Sequence, residues 1–187
     1  PLVELGVVVR SEGREAVRGR VMPVLRHAVT LGVPVSVDTS EPAVMRAALA
    51  LGVDIVNDVR ALQRRDALAV LAGHSGAGLC LMHMQGEPAT MQAAPAYGDV
   101  VAEVAAFLAA RRDAALAAGI GAARIALDPG IGFGKTVEHN LALLARQREL
   151  LALGQPLLVG WSRKSTLGAL TGRPVNARLA ASVAAAV

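Results

Sequence analysis

Short apolar runs rich in Val, Ile and Leu alternate along the chain with longer Ala/Leu/Arg runs whose apolar residues recur with helical period. A strand buried on both faces reads as a continuous apolar run, and a helix lying on a sheet reads with a period near 3.6. The alternation therefore predicts βα units around a parallel sheet. Strands are expected at 2–5, 33–37, 54–56, 78–82, 124–127 and 156–159. Helices are expected between them, among them 42–50, 99–118, 137–153 and 177–187. Ser40 is the candidate N-cap of the helix at 42–50. Gly32, Gly52, Gly119 and Gly154 fall where helices should end, in the left-handed backbone that costs glycine little.

The residues that follow the strands are more informative than the strands themselves. Asp38-Thr39, Asn57-Asp58, His83, Asp128 and Ser162-Arg163-Lys164 each stand just past a buried apolar run. Polar groups thus collect at the carboxyl ends of the strands, the edge where parallel α/β folds bind their ligands. The expected class is α/β, with a parallel sheet that either closes into a (β/α)8 TIM barrel or stays open. A typical barrel needs about 250 residues, whereas this chain has 187 and shows six strands. The expectation is a single domain over 1–187, incomplete, with one strand missing at each end. No linker or low-complexity tract divides it.

Composition narrows the function classes. Apolar residues make up 53% of the chain and aromatics only 2%, so the core is built from Ala, Val, Leu and Ile and the chain is not disordered. The single cysteine, Cys80, excludes a disulfide framework or a Cys-rich zinc site; it reads as a small buried thiol in a reducing, cytoplasmic setting. No stretch has the pattern of a signal peptide, and the charge-free run 67–84 is broken by Gly73, His74, Ser75, Gly76 and Gly78, so no membrane span is expected. The net charge of +4 and pI near 10.2 come from scattered arginines. With Tyr97, Trp161, Phe107 and Phe133 as the only aromatics, there is no stacking platform for nucleic acid. A small anionic substrate suits the surplus better.

Two lysines stand among nineteen Lys and Arg side chains: Lys135 after Gly132-Phe133-Gly134, and Lys164 in Ser162-Arg163-Lys164-Ser165. Both follow predicted strands, where a compact ammonium can reach a substrate. The alternative for each is a solvated loop lysine, an account that suits Lys135 more than Lys164. The segment from Asp128 to Lys135 ends a strand in a carboxylate and continues through glycines that allow close backbone approach. It lacks the spacing of a Walker phosphate loop. Asp38, Asn57 and Asp128 would offer two carboxylates and an amide to the donor and acceptor edge of a planar heterocycle, with Lys164 keeping the carboxylates ionised. The competing reading is a metal held by Asp38, Asp58 and Asp128, joined by His83, although no local ligand spacing supports it.

Five segments taken together resemble dihydropteroate synthases, the pterin-binding barrel enzymes of folate synthesis. They are Val35-Ser36-Val37-Asp38-Thr39, Ile55-Val56-Asn57-Asp58-Val59, Leu81-Met82-His83-Met84-Gln85-Gly86, Asp128 to Lys135, and Val159-Gly160-Trp161-Ser162-Arg163-Lys164-Ser165. They occur in the family's order, Thr90-Met91-Gln92 and the helix after Asp99 fit too, and the similarity covers 21–187. The resemblance implies a transferase that joins 6-hydroxymethyl-7,8-dihydropterin pyrophosphate to p-aminobenzoate and releases pyrophosphate, the target of sulfonamides. It places Asp38, Asn57, Met82, Asp128, Gly160 and Lys164 around the pterin, with Asp38, Asp128 and Lys164 as the catalytic set. Phe133 and Ser165 face p-aminobenzoate, and Ser165 opens a helix whose free amides suit a carboxylate.

The same resemblance implies a homodimer and a Mg2+ cofactor, and it marks what this chain lacks. The family's first strand, with its Asn and Pro-Asp-Ser-Phe-Ser loop, and its last, with an Arg-x-His-Asp segment, have no counterpart here; these hold magnesium and pyrophosphate, so no metal ligand is assigned. The family's Glu-Ser-Thr-Arg-Pro-Gly loop is replaced by Val7-Val8-Val9-Arg10-Ser11-Glu12-Gly13, in which Arg10 is the candidate substitute for the arginine. Two alternatives stand beside the synthase: a methyltetrahydrofolate corrinoid methyltransferase, and a non-catalytic pterin-binding fragment or paralogue. Sequence on both sides of the chain would separate the last from the enzyme.

Overall fold

A computed structural model describes the backbone at 3–6 and 14–186 and the side chains from 19 to 186. Residues 7–13, with Arg10, lie outside the described residues. Among the described residues five strands form: β1 Val3–Gly6, β2 Val35–Asp38, β3 Ile55–Asp58, β4 Gly78–Met82 and β5 Ile125–Asp128, in the order β1-β2-β3-β4-β5. Neighbours from β1 to β4 are parallel, with Gly6 opposite Asp38, Asp38 opposite Asn57, and Asn57 opposite Cys80. Sequential strands pairing side by side in parallel, each reached through a helix, is the arrangement of a barrel wall.

The helices are α1 Arg14–Ala28, α2 Pro42–Ala50, α3 Ala67–Ala72, α4 Val100–Ala117, α5 Val137–Ala145, α6 Gln147–Leu151, α7 Ser165–Thr171 and α8 Leu179–Ala184. Two compact units result: 1–82 with 110–126, and 83–109 with 127–187. In the first, Val35, Val37, Val56, Leu79 and Leu81 of the strands are buried together with Met45, Leu49 and Leu71 of α2 and α3. In the second, Val101, Val104, Leu108, Leu127, Leu143, Leu150 and Trp161 are buried. Burial of a Val or Leu side chain contributes about 1.5–3 kcal/mol, so these aliphatic clusters carry the fold with few aromatic anchors. Gly32, Gly52, Gly119 and Gly154 all adopt positive φ after their helices, as their positions predict.

Several expected elements change. The strand at 156–159 is reduced to one bridge, Leu127 opposite Leu157, with Leu127 N–H donating to Pro156 O and Leu158 N–H to Leu127 O, both at 2.9 Å. Pro156 has no N–H with which to lengthen that ladder. The helix at 137–153 breaks at Arg146 (φ −107°, ψ 21°), whose guanidinium spans both carboxylate oxygens of Asp99 at 3.0 Å and Glu149 at 2.7 Å. The helix at 177–187 is a short 3-10 turn, Val175–Ala177, followed by α8.

Ser40 does not cap α2. Glu41 occupies the N-cap without a side-chain capping bond, and the Ser40 hydroxyl donates instead to the Asp58 carboxylate. Asp58 is fully buried and also accepts the N–H groups of Arg60 (2.9 Å) and Leu62 (2.7 Å). A desolvated carboxylate costs more to leave unpaired than an exposed helix end, which accounts for the choice. Burial pushes the Asp58 carboxyl above its usual range, against the hydrogen bonds that pull it down. The turn it anchors holds Ala61 and Leu62 at positive φ, and Arg111 of α4 binds their carbonyls at 2.8 and 3.3 Å. No helix among the described residues is long and apolar enough to cross a membrane.

Candidate active site

In the first unit, three predicted site residues stand at the carboxyl edge of neighbouring strands. Asp38 ends β2, Asn57 is next to last in β3, and Met82 ends β4. The backbone joins the first two, since the N–H of Thr39, next after Asp38, donates to Asn57 O at 2.9 Å. Asn57 and Met82 are buried and Asp38 is half-buried. Thr39 also accepts the N–H of Glu41 on its hydroxyl, which turns the chain sharply after Asp38.

The second unit holds Asp128, Phe133, Gly160, Lys164 and Ser165. Asp128 ends β5; its carbonyl accepts His83 N–H at 2.9 Å and its Oδ1 accepts Gly130 N–H at 2.7 Å. One carboxylate oxygen thus fixes the start of the glycine loop. Phe133 N–H closes a turn onto Gly130 O at 3.0 Å, and Gly130, Gly132 and Gly134 all lie at positive φ. Lys164 Nζ sits 4.5 Å above the centroid of the Phe133 ring, within cation–π range. A Cβ on Gly132 would meet Lys164 Cδ at 3.3 Å, so the lysine stem lies against bare backbone. Burial lowers the Lys164 pKa and the charge of Asp128 opposes that shift. Ser165 is exposed at the first position of α7, which is only seven residues long; Gly160 is exposed with open space around it.

Lys135 is not a solvated loop residue. It is 3% exposed, with Nζ 2.9 Å from His83 Nδ1, 3.1 Å from Gly130 O and 3.0 Å from Phe133 O. Carbonyls that the glycine loop cannot pair within regular structure need a donor, and this amine supplies it. Burial pulls its pKa down to about 7, Asp128 opposing and Lys164 reinforcing the change. His83 is likewise held neutral, its pKa pushed to about 3 by burial and by Lys135. Its ring nitrogen faces an amine, and no group of three or more His, Cys, Asp or Glu among the described residues could hold a metal ion. The metal reading of Asp38, Asp58, Asp128 and His83 is therefore not supported; Asp58 is engaged by Ser40, Arg60 and Leu62.

Asn140 of α5 escaped the sequence reading altogether. It accepts Gly132 N–H at 2.9 Å and donates to Thr136 O at 2.8 Å and to the Thr166 hydroxyl at 2.9 Å, linking the glycine loop to α7. A lone Asn inside an apolar helical run was the only available signal. Gln92 donates to Gly132 O, and Tyr97 donates to Gly134 O at 2.8 Å.

Three perturbed bases, Lys135, Lys164 and His83, predict the pH dependence of stability. Lys135 titrates near 10.5 when unfolded and near 7 when folded, so between these values the unfolded chain binds the extra proton and stability rises with pH. Lys164 adds in the same direction. His83 gives a second rise between about 3 and 6.5. The midpoint of urea unfolding should climb from about pH 7 to about pH 9.5, and Lys135→Met should flatten that climb. An equal slope in the variant would assign the dependence to other groups.

A parallel α/β sheet with polar residues at the carboxyl ends of its strands is the architecture on which α/β enzymes carry their sites. The chain belongs to the pterin-binding enzyme family, whose model matches residues 9–187. It is 53% identical over 173 residues to the dihydropteroate synthase of Neisseria meningitidis serogroup B, covering 90% of this chain and 61% of that protein. Among solved structures, dihydropteroate synthase from Stenotrophomonas maltophilia with active site-bound imidazole superposes with TM-score 0.94 at 47% identity, covering 99% of this chain and 70% of that one. The Burkholderia cenocepacia dihydropteroate synthase complexed with 7,8-dihydropteroate gives TM-score 0.88 at 44% identity, covering 99% and 70%. The chain thus spans about three fifths of the length of the curated relatives it matches.

Proposed function

We propose that this chain carries the pterin and arylamine sites of a dihydropteroate synthase, a folate-pathway transferase. The observation that carries the reading is Asp128, buried at a strand end with one oxygen committed to Gly130 and with Lys164 in electrostatic reach. In this reading the Asp128 carboxylate accepts from pterin ring N–H groups, and the family resemblance assigns Asp38 and Asn57 to the same ligand. Met82 backs the ring with apolar surface. Gly160 leaves room beside it, and Lys164 donates to the pterin while stacking on Phe133. The Phe133 ring and Ser165 receive p-aminobenzoate.

In the reaction, the bond between the pterin methylene and the pyrophosphate oxygen breaks. The arylamine nitrogen bonds to that carbon and loses a proton to solvent, and pyrophosphate departs with the bonding pair. The arylamine is neutral at pH 7, so no strong base is required. The residues of this chain bind and orient the two partners and stabilise positive charge developing on the methylene. The Mg2+ expected from the family finds no cluster of three acidic, His or Cys ligands among the described residues, which do not fit a protein-held ion. A cytoplasmic setting, supported by the single buried Cys80, and a homodimer belong to the same reading.

Dihydropteroate formation tests it, measured with this 187-residue chain and with a protein extended by the flanking segments its relatives possess. The extended protein should turn over and the chain alone should retain pterin affinity at best, because the groups expected to hold pyrophosphate are not in it. A folded extended protein that binds pterin without forming product would favour the non-catalytic alternative.

A further inference from the structure

The loop 130–135 is built from three glycines at positive φ, backbone that is costly to order, yet its carbonyls are tied down individually by side chains. Of these tethers, Lys135 is the unusual one. A side-chain amide, with two N–H donors, would hold two carbonyls at far lower desolvation cost than a nearly inaccessible amine. Its partners are also particular: Gly130 O, Phe133 O, and both the ring nitrogen and, at 3.5 Å, the carbonyl of His83. Two of the three residues flank or carry the ring on which Lys164 sits.

We propose that Lys135 is a positioning residue for the arylamine subsite: by gripping the carbonyls of Gly130 and Phe133 against His83, it fixes the Phe133 ring and the Lys164 ammonium stacked on it. The inference rests on the assignment of Phe133 to p-aminobenzoate. Lys135 touches neither substrate; it acts through the backbone of Phe133. A pKa near 7 fits this role, since the amine donates to the carbonyls in either protonation state. A merely structural lysine would affect both substrates and stability alike, whereas a positioning lysine affects one substrate through one neighbour.

The test uses the extended synthase with Lys135→Met, Lys135→Gln, Phe133→Leu and the Lys135→Met/Phe133→Leu double variant. Lys135→Met should raise the KM for p-aminobenzoate about tenfold to a hundredfold while the affinity for a pterin analogue changes less than about threefold. Lys135→Gln, which keeps an N–H donor, should recover part of the loss. The double variant should be little worse than Phe133→Leu, because the first change acts through the second residue. Additive effects, equal losses for both substrates, or failure of both Lys135 variants to fold would overturn the proposal. Calorimetric binding of p-aminobenzoate to the wild-type protein loaded with the pterin analogue separates the two levels. No binding there would sink the functional assignment itself, and equal binding by wild type and Lys135→Met would sink only the role of Lys135.

Discussion

Asp128→Asn should leave the protein folded and reduce its affinity for a pterin analogue by about a hundredfold or more. The stability side follows from what Asp128 does within the protein: its Oδ1 accepts Gly130 N–H at 2.7 Å, and an Asn of the same shape keeps an oxygen there. The glycine loop therefore stays anchored. The ligand side follows from what is lost. In the proposed pterin site the side chain loses its negative charge and gains an NH2 donor where ring N–H groups need an acceptor, and the charge that raises the pKa values of Lys135 and Lys164 disappears. Each charge-assisted bond is worth about 1.5–3 kcal/mol, and two of them set the scale of the expected loss. Calorimetric titration of both proteins, with matched thermal melts, provides the measurement. Affinity within about threefold of wild type, with the fold intact, would make Asp128 a purely structural anchor.

The carboxyl-edge residues were legible because a strand buried on both faces announces its own end. Val35-Ser36-Val37-Asp38 and Ile55-Val56-Asn57-Asp58 pass from apolar to polar within one residue of where β2 and β3 stop. What stayed hidden depends on partners remote in sequence. The Ser40 hydroxyl has the choice of capping α2 or serving Asp58, eighteen residues away, and only the burial of Asp58 decides it. The break at Arg146 leaves the helical period intact, so no pattern marks it; what accompanies it is a guanidinium shared by Asp99, forty-seven positions away, and Glu149. Lys135 reads as an exposed loop lysine until His83, fifty-two positions earlier, is seen against its amine. The rarity of lysine in an arginine-rich chain pointed to the residue without telling what it does.

Gly134→Ala should destabilise the protein by about 2–5 kcal/mol and abolish binding of the arylamine together with it. Gly134 lies at φ +62°, where an L-residue costs about 1–2 kcal/mol. Its added Cβ would come 2.5 Å from Gln85 O, 3.0 Å from Gln85 Cβ and 3.1 Å from Gln85 N. Those are mostly backbone atoms and cannot swing aside as a side-chain tip can, so the loop itself must move, adding an overpacking cost of about 1–3 kcal/mol. Movement there breaks the Tyr97 bond to Gly134 O and drags on Phe133 and Lys135 on either side. At about 2–4 °C per kcal/mol for a chain of this size, the melting temperature should fall by about 10 °C. Two neighbouring glycines provide the contrast. Gly160 has open space and no positive φ, so Gly160→Ala should melt as wild type. Gly132, whose Cβ would press on the mobile stem of Lys164, should lose more binding than stability when changed to Ala. A Gly134→Ala protein that melts with wild type would mean that the loop has slack which its tethers to Tyr97, Lys135 and Asn140 should have removed.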